Sequence, residues 1–206
     1  VPDRPTESPG IPAAGPGSIR RLRVEQPIPV ARCYLAYLVP SPSREDWMAA
    51  QLWARCAAGT PDSPLQKCLL QTGSARRLTV GTPRMQRAAV VIFEAEAAGS
   101  QDIAALEQNL LQGLAKATES DLDRSGLDRA RNHTLLEAHT RMQELARRAD
   151  RLATERLFYG RPPLSPGDLY RLASAFDVDR LRAWAMDLIG NGSGALLTLI
   201  PERTAA

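Results

Sequence analysis

The stretch from Leu127 to Leu157 sets the tightest limit on what this chain can build. Its apolar residues Ala138, Met142, Leu145, Ala149 and Leu152 recur in steps of four and three. That spacing keeps one face of a helix turned toward a core. Ser125-Gly126-Leu127-Asp128 opens the pattern. Read as one helix, it would run roughly 45 Å at about 1.5 Å per residue, long enough to cross a whole sheet. Two shorter capped helices and a single terminal strand follow, and few folds share that order.

The rest of the chain can be read in sequence. Residues 1–18 hold five prolines and three glycines, Pro2, Pro5, Pro9, Pro12 and Pro16 with Gly10, Gly15 and Gly17. Such a segment buries little and resists both helix and sheet, so it is read as an interdomain tether. Order is expected to begin near Ile19. Alternating Ala31, Cys33, Leu35, Tyr37 and Val39 predict a strand with one buried face, ended by Pro40 and Pro42. Ser43 with Asp46 three residues on predicts a capped helix to about Ala58, with Trp47, Ala50, Leu52 and Trp53 inward and Gly59 as its stop. Ser63 to Leu70 reads as a short helix, and Arg76 to Gly81 as a strand after Gly73-Ser74. Ala88 to Ala97 is a clearer strand, with Ala89, Val91, Phe93 and Ala95 on one face and Glu94 and Glu96 on the other; Gly99-Ser100 closes it. Ile103, Leu106, Leu110 and Leu114 mark a helix to about Glu119. Beyond the long pattern, Gly160-Arg161-Pro162-Pro163 breaks the chain. Ser165-Pro166-Gly167-Asp168 and Asp177 each cap a helix. Residues 190–194 read as a flexible turn, and Ala195 to Ile200 as the last strand. The expected class is α+β: a mixed, largely antiparallel sheet covered on one side by helices, including one long helix. Residues 19–201 would form a single domain, with 202–206 as a tail.

Composition narrows the function classes. The 206 residues are 44% hydrophobic and 24% charged, with a net charge of +3, which suits one sizeable core. Nearly all the positive charge is arginine, since Lys67 and Lys116 are the only lysines. The arginines alternate with acids, as in Arg147, Arg148, Asp150, Arg151, Glu155 and Arg156, the pattern of a solvated helix face. Aromatics are sparse and not interleaved with basic residues, which argues against an arginine-rich binder of nucleic acid or acidic membrane. Cys33, Cys56 and Cys68 are odd in number and form no C-x-x-C pair, so neither a disulfide framework nor a cysteine zinc site is expected. Each is read as a small packed apolar residue. No stretch is long enough to span a bilayer, and membrane insertion is not expected. The sequence opens without Met inside the tether and is read as part of a longer protein, which leaves periplasm and cytoplasm both open.

Several segments taken in order resemble the pitrilysin-type zinc peptidases, the group that includes insulin-degrading enzyme and the mitochondrial processing peptidases. They are Val39-Pro40 followed by Asp46 and a helix, Ser63-Pro64-Leu65 before a turn and strand, and the helix start Leu127-Asp128-Arg129-Ala130-Arg131. Phe158-Tyr159-Gly160, Phe176-Asp177-Val178-Asp179-Arg180-Leu181 and the closing Ile200-Pro201 complete the set. The resemblance spans roughly Arg20 to Pro201 and is to the second, zinc-free domain of such an enzyme, most like the long bacterial members. It implies a noncatalytic domain that walls a peptide-holding chamber and packs against a zinc-bearing domain of the same chain. It also implies a second homologous half or subunit, a peptide as substrate, and zinc held in the other domain with none here. The parent chain would carry H-x-x-E-H roughly 150–200 residues upstream of Val1, by ordinary domain length. The alternative is a nonenzymatic scaffold or assembly subunit of the same fold, whose parent has no zinc motif.

No catalytic or metal residue is expected in this chain, which alone should hydrolyse nothing. Its two histidines, His133 and His139, flank Glu137 as H-x-x-x-E-x-H. Six residues on a helix part them by about 240°. His133 and Glu137 share a face, which predicts a surface contact. An arginine and tyrosine seven residues apart hold the substrate in some such second domains, and their counterparts here are Leu70 and Arg77. Trp47, Trp53 and Trp184 are read as core or interdomain anchors, and Glu94 and Glu96 as the wet side of a strand. Arg147, Arg148 and Arg151 could line a chamber for acidic substrates, though spacing alone does not fix their direction.

Overall fold

A computed structural model describes residues 19–40, 43–85, 87–99, 102–157 and 159–202. The proposed tether, the end of the tail from residue 203, and the breaker and helix-end assignments at Pro42, Ser100 and Phe158 lie outside them.

Five strands form one sheet: β1 Ile19–Gln26, β2 Arg32–Pro40, β3 Ala75–Gly81, β4 Ala88–Ala97 and β5 Ser193–Pro201. Their spatial order is β1-β5-β2-β4-β3. The β1–β5 pair is parallel and the others antiparallel, so the sheet is mixed and largely antiparallel, as the sequence predicts. The period-two reading also holds. Cys33, Leu35, Tyr37 and Val39 on β2, with Ala89, Val91, Phe93 and Ala95 on β4, are buried under the helices. The alternate residues of β2, among them Tyr34, Ala36 and Leu38, keep part of their surface exposed on the opposite face.

The helical layer is α1 Arg44–Ala58, α2 Pro64–Gln66 running into a π-helical turn Lys67–Gln71, α3 Ile103–Glu119, α4 Arg124–Gln143, α5 Leu145–Leu157, α6 Pro166–Ser174 and α7 Val178–Asn191. Helix α1 lies deepest, with Ala49, Ala50, Leu52 and Trp53 fully buried. Both proposed capping boxes form, Ser43 with Asp46 and Ser165 with Asp168. Each satisfies a backbone donor at the helix start and places an acid there, where the helix dipole favours it.

Three expectations need correction. The stretch from Leu127 to Leu157 is two helices. Glu144 has extended backbone (φ −81°, ψ 119°) and ends α4; its carbonyl then starts α5 by accepting from the Arg148 N–H at 2.9 Å. Helix α4 starts at Asp123, whose side chain caps the Gly126 N–H, rather than at Ser125. Its buried residues are Leu127, Ala130 and Thr134, and Leu135 and Ala138 still pack half-buried against the core, so the helix leaves the layer only in its last turns. The apolar stripe continues past the edge of the core: Leu145 is 81% exposed and Leu152 39%. Periodicity reported the face of a helix, not the presence of anything beneath it.

Residues 190–194 are not a loose turn. Helix α7 reaches Asn191, Gly192 closes it and β5 begins at Ser193. A Cβ on Gly192 would meet the Leu188 carbonyl oxygen at 2.1 Å, and one on Gly194 would meet Ile19 at 3.0 Å. Those two glycines allow helix to become strand with no loop between.

Strand β1 went unread because its core-side residues include arginines. Arg21 and Arg23 sit opposite Leu196 and Thr198, and both reach Glu107 on α3, at 3.6 and 3.0 Å. Glu107 is buried and also accepts from the Thr198 hydroxyl at 2.6 Å. Ion pairing across the edge of the layer replaces the apolar alternation a reader looks for.

Candidate functional site

The histidines do not converge. Arg55 on α1 approaches both His133 (2.6 Å to Nδ1) and Glu137, so the face the two share by spacing is occupied by a guanidinium from the neighbouring helix. His139 is exposed and lies away from them, beside Leu135 and Met142 along a separate groove. Glu137 also pairs with Arg141 on the next turn. Among the described residues no group of three His, Cys, Asp or Glu side chains is placed to hold a metal. A zinc ion does not fit the donors here. One imidazole is turned away, and the carboxylate between the two is already claimed by two guanidiniums.

Leu70 sits half-buried on the π-helical turn, and Arg77 lies exposed on β3 opposite Glu96. Neither offers the pair that would grip a peptide backbone.

Glu94 and Glu96 lie on the sheet face away from the helices, but Glu96 is only 6% exposed, so the expectation of a wet strand side fails there. Arg76 donates to it at 2.6 Å and Arg32 at 3.3 Å. The register shift between Ala75 and Arg77 doubles the arginines at that point of β3, and strand alternation cannot anticipate a bulge. Tyr34, Thr79 and Arg32 surround Glu94. The hydrogen bond from Arg76, with the positive charge of Arg76 and Arg32, holds the Glu96 carboxyl below its ordinary value. Asp46 is also lowered. Burial pushes it up, but bonds from the Ser43 hydroxyl, the Trp184 indole and the Ser43 backbone outweigh that. Both groups are more acidic folded than unfolded. Their stabilisation is complete above the unfolded values of 4.5 and 3.8 and drains away as pH falls through the folded ones. Thermal melts should therefore decline below about pH 4.5, and Glu96→Gln should flatten the upper part of that decline. A curve of unchanged shape would count against the Arg32–Glu96–Arg76 clamp.

The cysteines are all free. Burial pushes the Cys33 thiol up to about 11 and the Cys56 thiol up to about 12, the behaviour of packed apolar residues rather than nucleophiles.

The densest polar constellation is one that spacing does not reveal. Alternating charge along α5 predicts a solvated face for Glu155, yet its side chain is 13% exposed. Three guanidiniums converge on it: Arg161 at 3.0 Å, Arg84 at 3.4 Å and Arg44 at 3.6 Å. Arg84, in the β3–β4 loop, stacks over Tyr159 at 4.0 Å and Trp47 at 5.0 Å. Burial lowers its pKa, and the neighbouring Arg161 and Arg44 add to that. This knot closes one wall of a cavity of about 490 Å³ between α1, α4 and α5, where Arg147 and Arg151 also face. Arg148 is turned instead to an apolar groove of about 430 Å³ against Leu164 and Tyr170. The one sequence signal was Arg84 itself, an arginine after Gly81-Thr82-Pro83 with no acid nearby in the chain.

Fold and side chains together describe a helix-covered sheet whose polar clusters, among the described residues, are arginine–carboxylate networks rather than metal-ligand groups. Residues 2–134 match the family model described as the peptidase M16 inactive domain. The chain belongs to that family, the noncatalytic domains of pitrilysin-like peptidases. No curated protein matches it. Among solved structures it resembles a protease from Helicobacter pylori, with a TM-score of 0.81 at 16% identity over 98% of this chain and 49% of that one. It also resembles a peptidase M16 inactive domain from Pseudomonas fluorescens, with a TM-score of 0.73 at 17% identity over 100% of this chain and 48% of that one. A chain described as a zinc protease from Bordetella pertussis Tohama I gives 0.70 at 17% identity over 91% and 100%. At these identities the likeness is one of fold. The chain spans about half the length of the first two relatives. No helix among the described residues is long and apolar enough to cross a membrane.

Proposed function

We propose that this chain is the noncatalytic domain of a zinc-dependent metallopeptidase. It walls the chamber that holds the peptide and packs against a separate zinc-bearing domain. The match to the inactive-domain family carries this reading. The surface of α4 and α5 supports it: Leu136 on α4 is 65% exposed, and Leu145 and Leu157 are 81% and 77% exposed at the two ends of α5, a helix with no buried residue at all. Leucines left this exposed on a helix that buries nothing are available to a neighbouring protein body. The relatives of about twice this length have room for that body.

The test begins with the reading frame before Val1, where H-x-x-E-H is expected. The full-length protein should then cleave quenched peptides and lose that activity on zinc chelation. Deleting residues 19–201 should abolish it. Leu145→Asp with Leu157→Asp should lower it at least severalfold without shifting the melt of the isolated domain, since both residues are solvent-facing there. A parent with no zinc motif would overturn the proposal in favour of a scaffold subunit, and full activity after the deletion would overturn it by showing that the domain is dispensable to the peptidase.

A further inference from the structure

The cavity beside the Glu155 knot adjoins a second one of about 480 Å³, and Trp47, Gln51, Arg84, Glu137 and Arg141 line both. Their charge is unbalanced. Arg55, Arg84, Arg141, Arg147 and Arg151 face Glu137, Asp150 and Glu155, while Arg44 and Arg161 add two more cations behind Glu155. The acids are also largely spoken for. Glu137 serves Arg55 and Arg141, and Glu155 serves three arginines with its two oxygens. Arg151 makes no ion pair among the described residues.

Hydrogen bonding is unbalanced in the same sense. Arg44 Nε, Trp47 Nε1, Gln51 Nε2, Arg84 Nε and Arg161 Nη2 are all buried without an acceptor. Every one is a donor, and no buried side-chain acceptor among the described residues lacks its partner. Two more unpaired donors lie elsewhere, Arg32 Nε on β2 and Arg182 Nε on α7, so five of the seven gather around this cavity. Buried donors left unpaired are costly, about 1–3 kcal/mol each, and such a concentration favours a ligand that brings acceptors. The Arg84 side chain is 10% exposed and fixed by stacking on two rings, so it is held in place before anything binds. Guanidiniums pair best with planar, bidentate carboxylates. Cavities of this size take several residues rather than an isolated ion.

We infer that the paired cavity binds an acidic peptide segment through its side-chain carboxylates. The inference rests on the peptide-holding role proposed above and gives it a preference: acidic stretches are retained. Arg84 and Trp47 form the fixed floor, and Arg141 and Arg151 are the adaptable rim.

A fluorescent ten-residue peptide bearing four glutamates, with both ends blocked, tests this by anisotropy against the 206-residue chain. It should bind about tenfold or more tightly than its glutamine counterpart, the worth of a single charge-assisted hydrogen bond. Binding should weaken steeply with salt. Arg141→Gln with Arg151→Gln should weaken it at least severalfold with the thermal melt unchanged, since Arg141 is exposed and such pairs add little stability. Equal binding of the glutamine peptide, no binding at all, or an unaffected double variant would each overturn the inference. Glutarate that competes as well as the peptide would assign the site to a small dicarboxylate and overturn it too. Acidic-peptide binding in a full-length protein without peptidase activity would keep this site and remove the enzymatic reading. Peptidase activity with no acidic preference in binding would do the reverse.

Discussion

Replacing Trp53 by alanine should cost the domain about 3–5 kcal/mol, the usual toll for emptying a large aromatic site in a core. Total stabilities run to only about 5–15 kcal/mol, so the variant should be close to unfolding at room temperature. Position explains the size of the effect. Trp53 is fully buried near the middle of α1. Its ring meets Tyr37 of β2 at 6.0 Å, Phe93 of β4 at 5.5 Å and Trp184 of α7 at 6.3 Å, each edge-on. Edge-to-face contacts of that kind add roughly 0.5–1.5 kcal/mol beyond area burial. The indole N–H donates to Thr118 of α3 at 3.0 Å. One side chain thus joins the sheet to three helices. Trp53→Phe should recover most of the loss, because Thr118 keeps its own bond to the Leu114 carbonyl at 2.9 Å and only an acceptor goes unpaired. Urea unfolding of both variants decides it: an alanine variant within about 1 kcal/mol of the parent would mean the layer is held elsewhere.

That a tryptophan at this position anchors the core was legible from sequence, and the reason shows what sequence could carry. Capping boxes, period-two strands and proline stops are local, so β2, β4, α1, α3, α6 and α7 could be read within a few residues. What failed depended on contacts across the chain. Strand β1 hides behind Arg21 and Arg23, whose charges make sense only beside Glu107, more than eighty residues on. Glu96 looks solvated until a bulge brings Arg76 across to it. The break at Glu144 has no proline or glycine to mark it, and the stripe of leucines beyond it keeps a helical period while leaving the core. The divergence of the two histidines was readable, since six residues on a helix part them by about 240°. The arginine knot was not, because its members come from α1, the β3–β4 loop, α5 and the segment after it, and no spacing rule connects them.

That knot sets the second large effect. Glu155→Gln should release α5 from the body of the domain without unfolding the rest. Helix α5 buries no residue of its own, and its attachment runs through Glu155 to Arg44, Arg84 and Arg161, with the Tyr159 hydroxyl donating to the Met85 carbonyl at 2.9 Å just beyond. Removing one partner of a buried ion pair typically costs about 3–5 kcal/mol, because the remaining charge stays out of water uncompensated. Here three cations would be left facing one another. Arg84 already lies below its ordinary pKa, chiefly through burial, and would lose an attraction that keeps it charged. A segment with so few buried contacts opens by itself before the core does. Amide exchange across α5 should therefore speed up by about two orders of magnitude or more, while the main urea transition moves far less. Adding Arg84→Met to Glu155→Gln should restore part of the protection, since a cation and its counter-charge are then removed together. If α5 exchanges in Glu155→Gln as it does in the parent, the carboxylate is not its anchor, and the wall it gives the arginine-lined cavity must be held by Tyr159 and the α4–α5 junction instead.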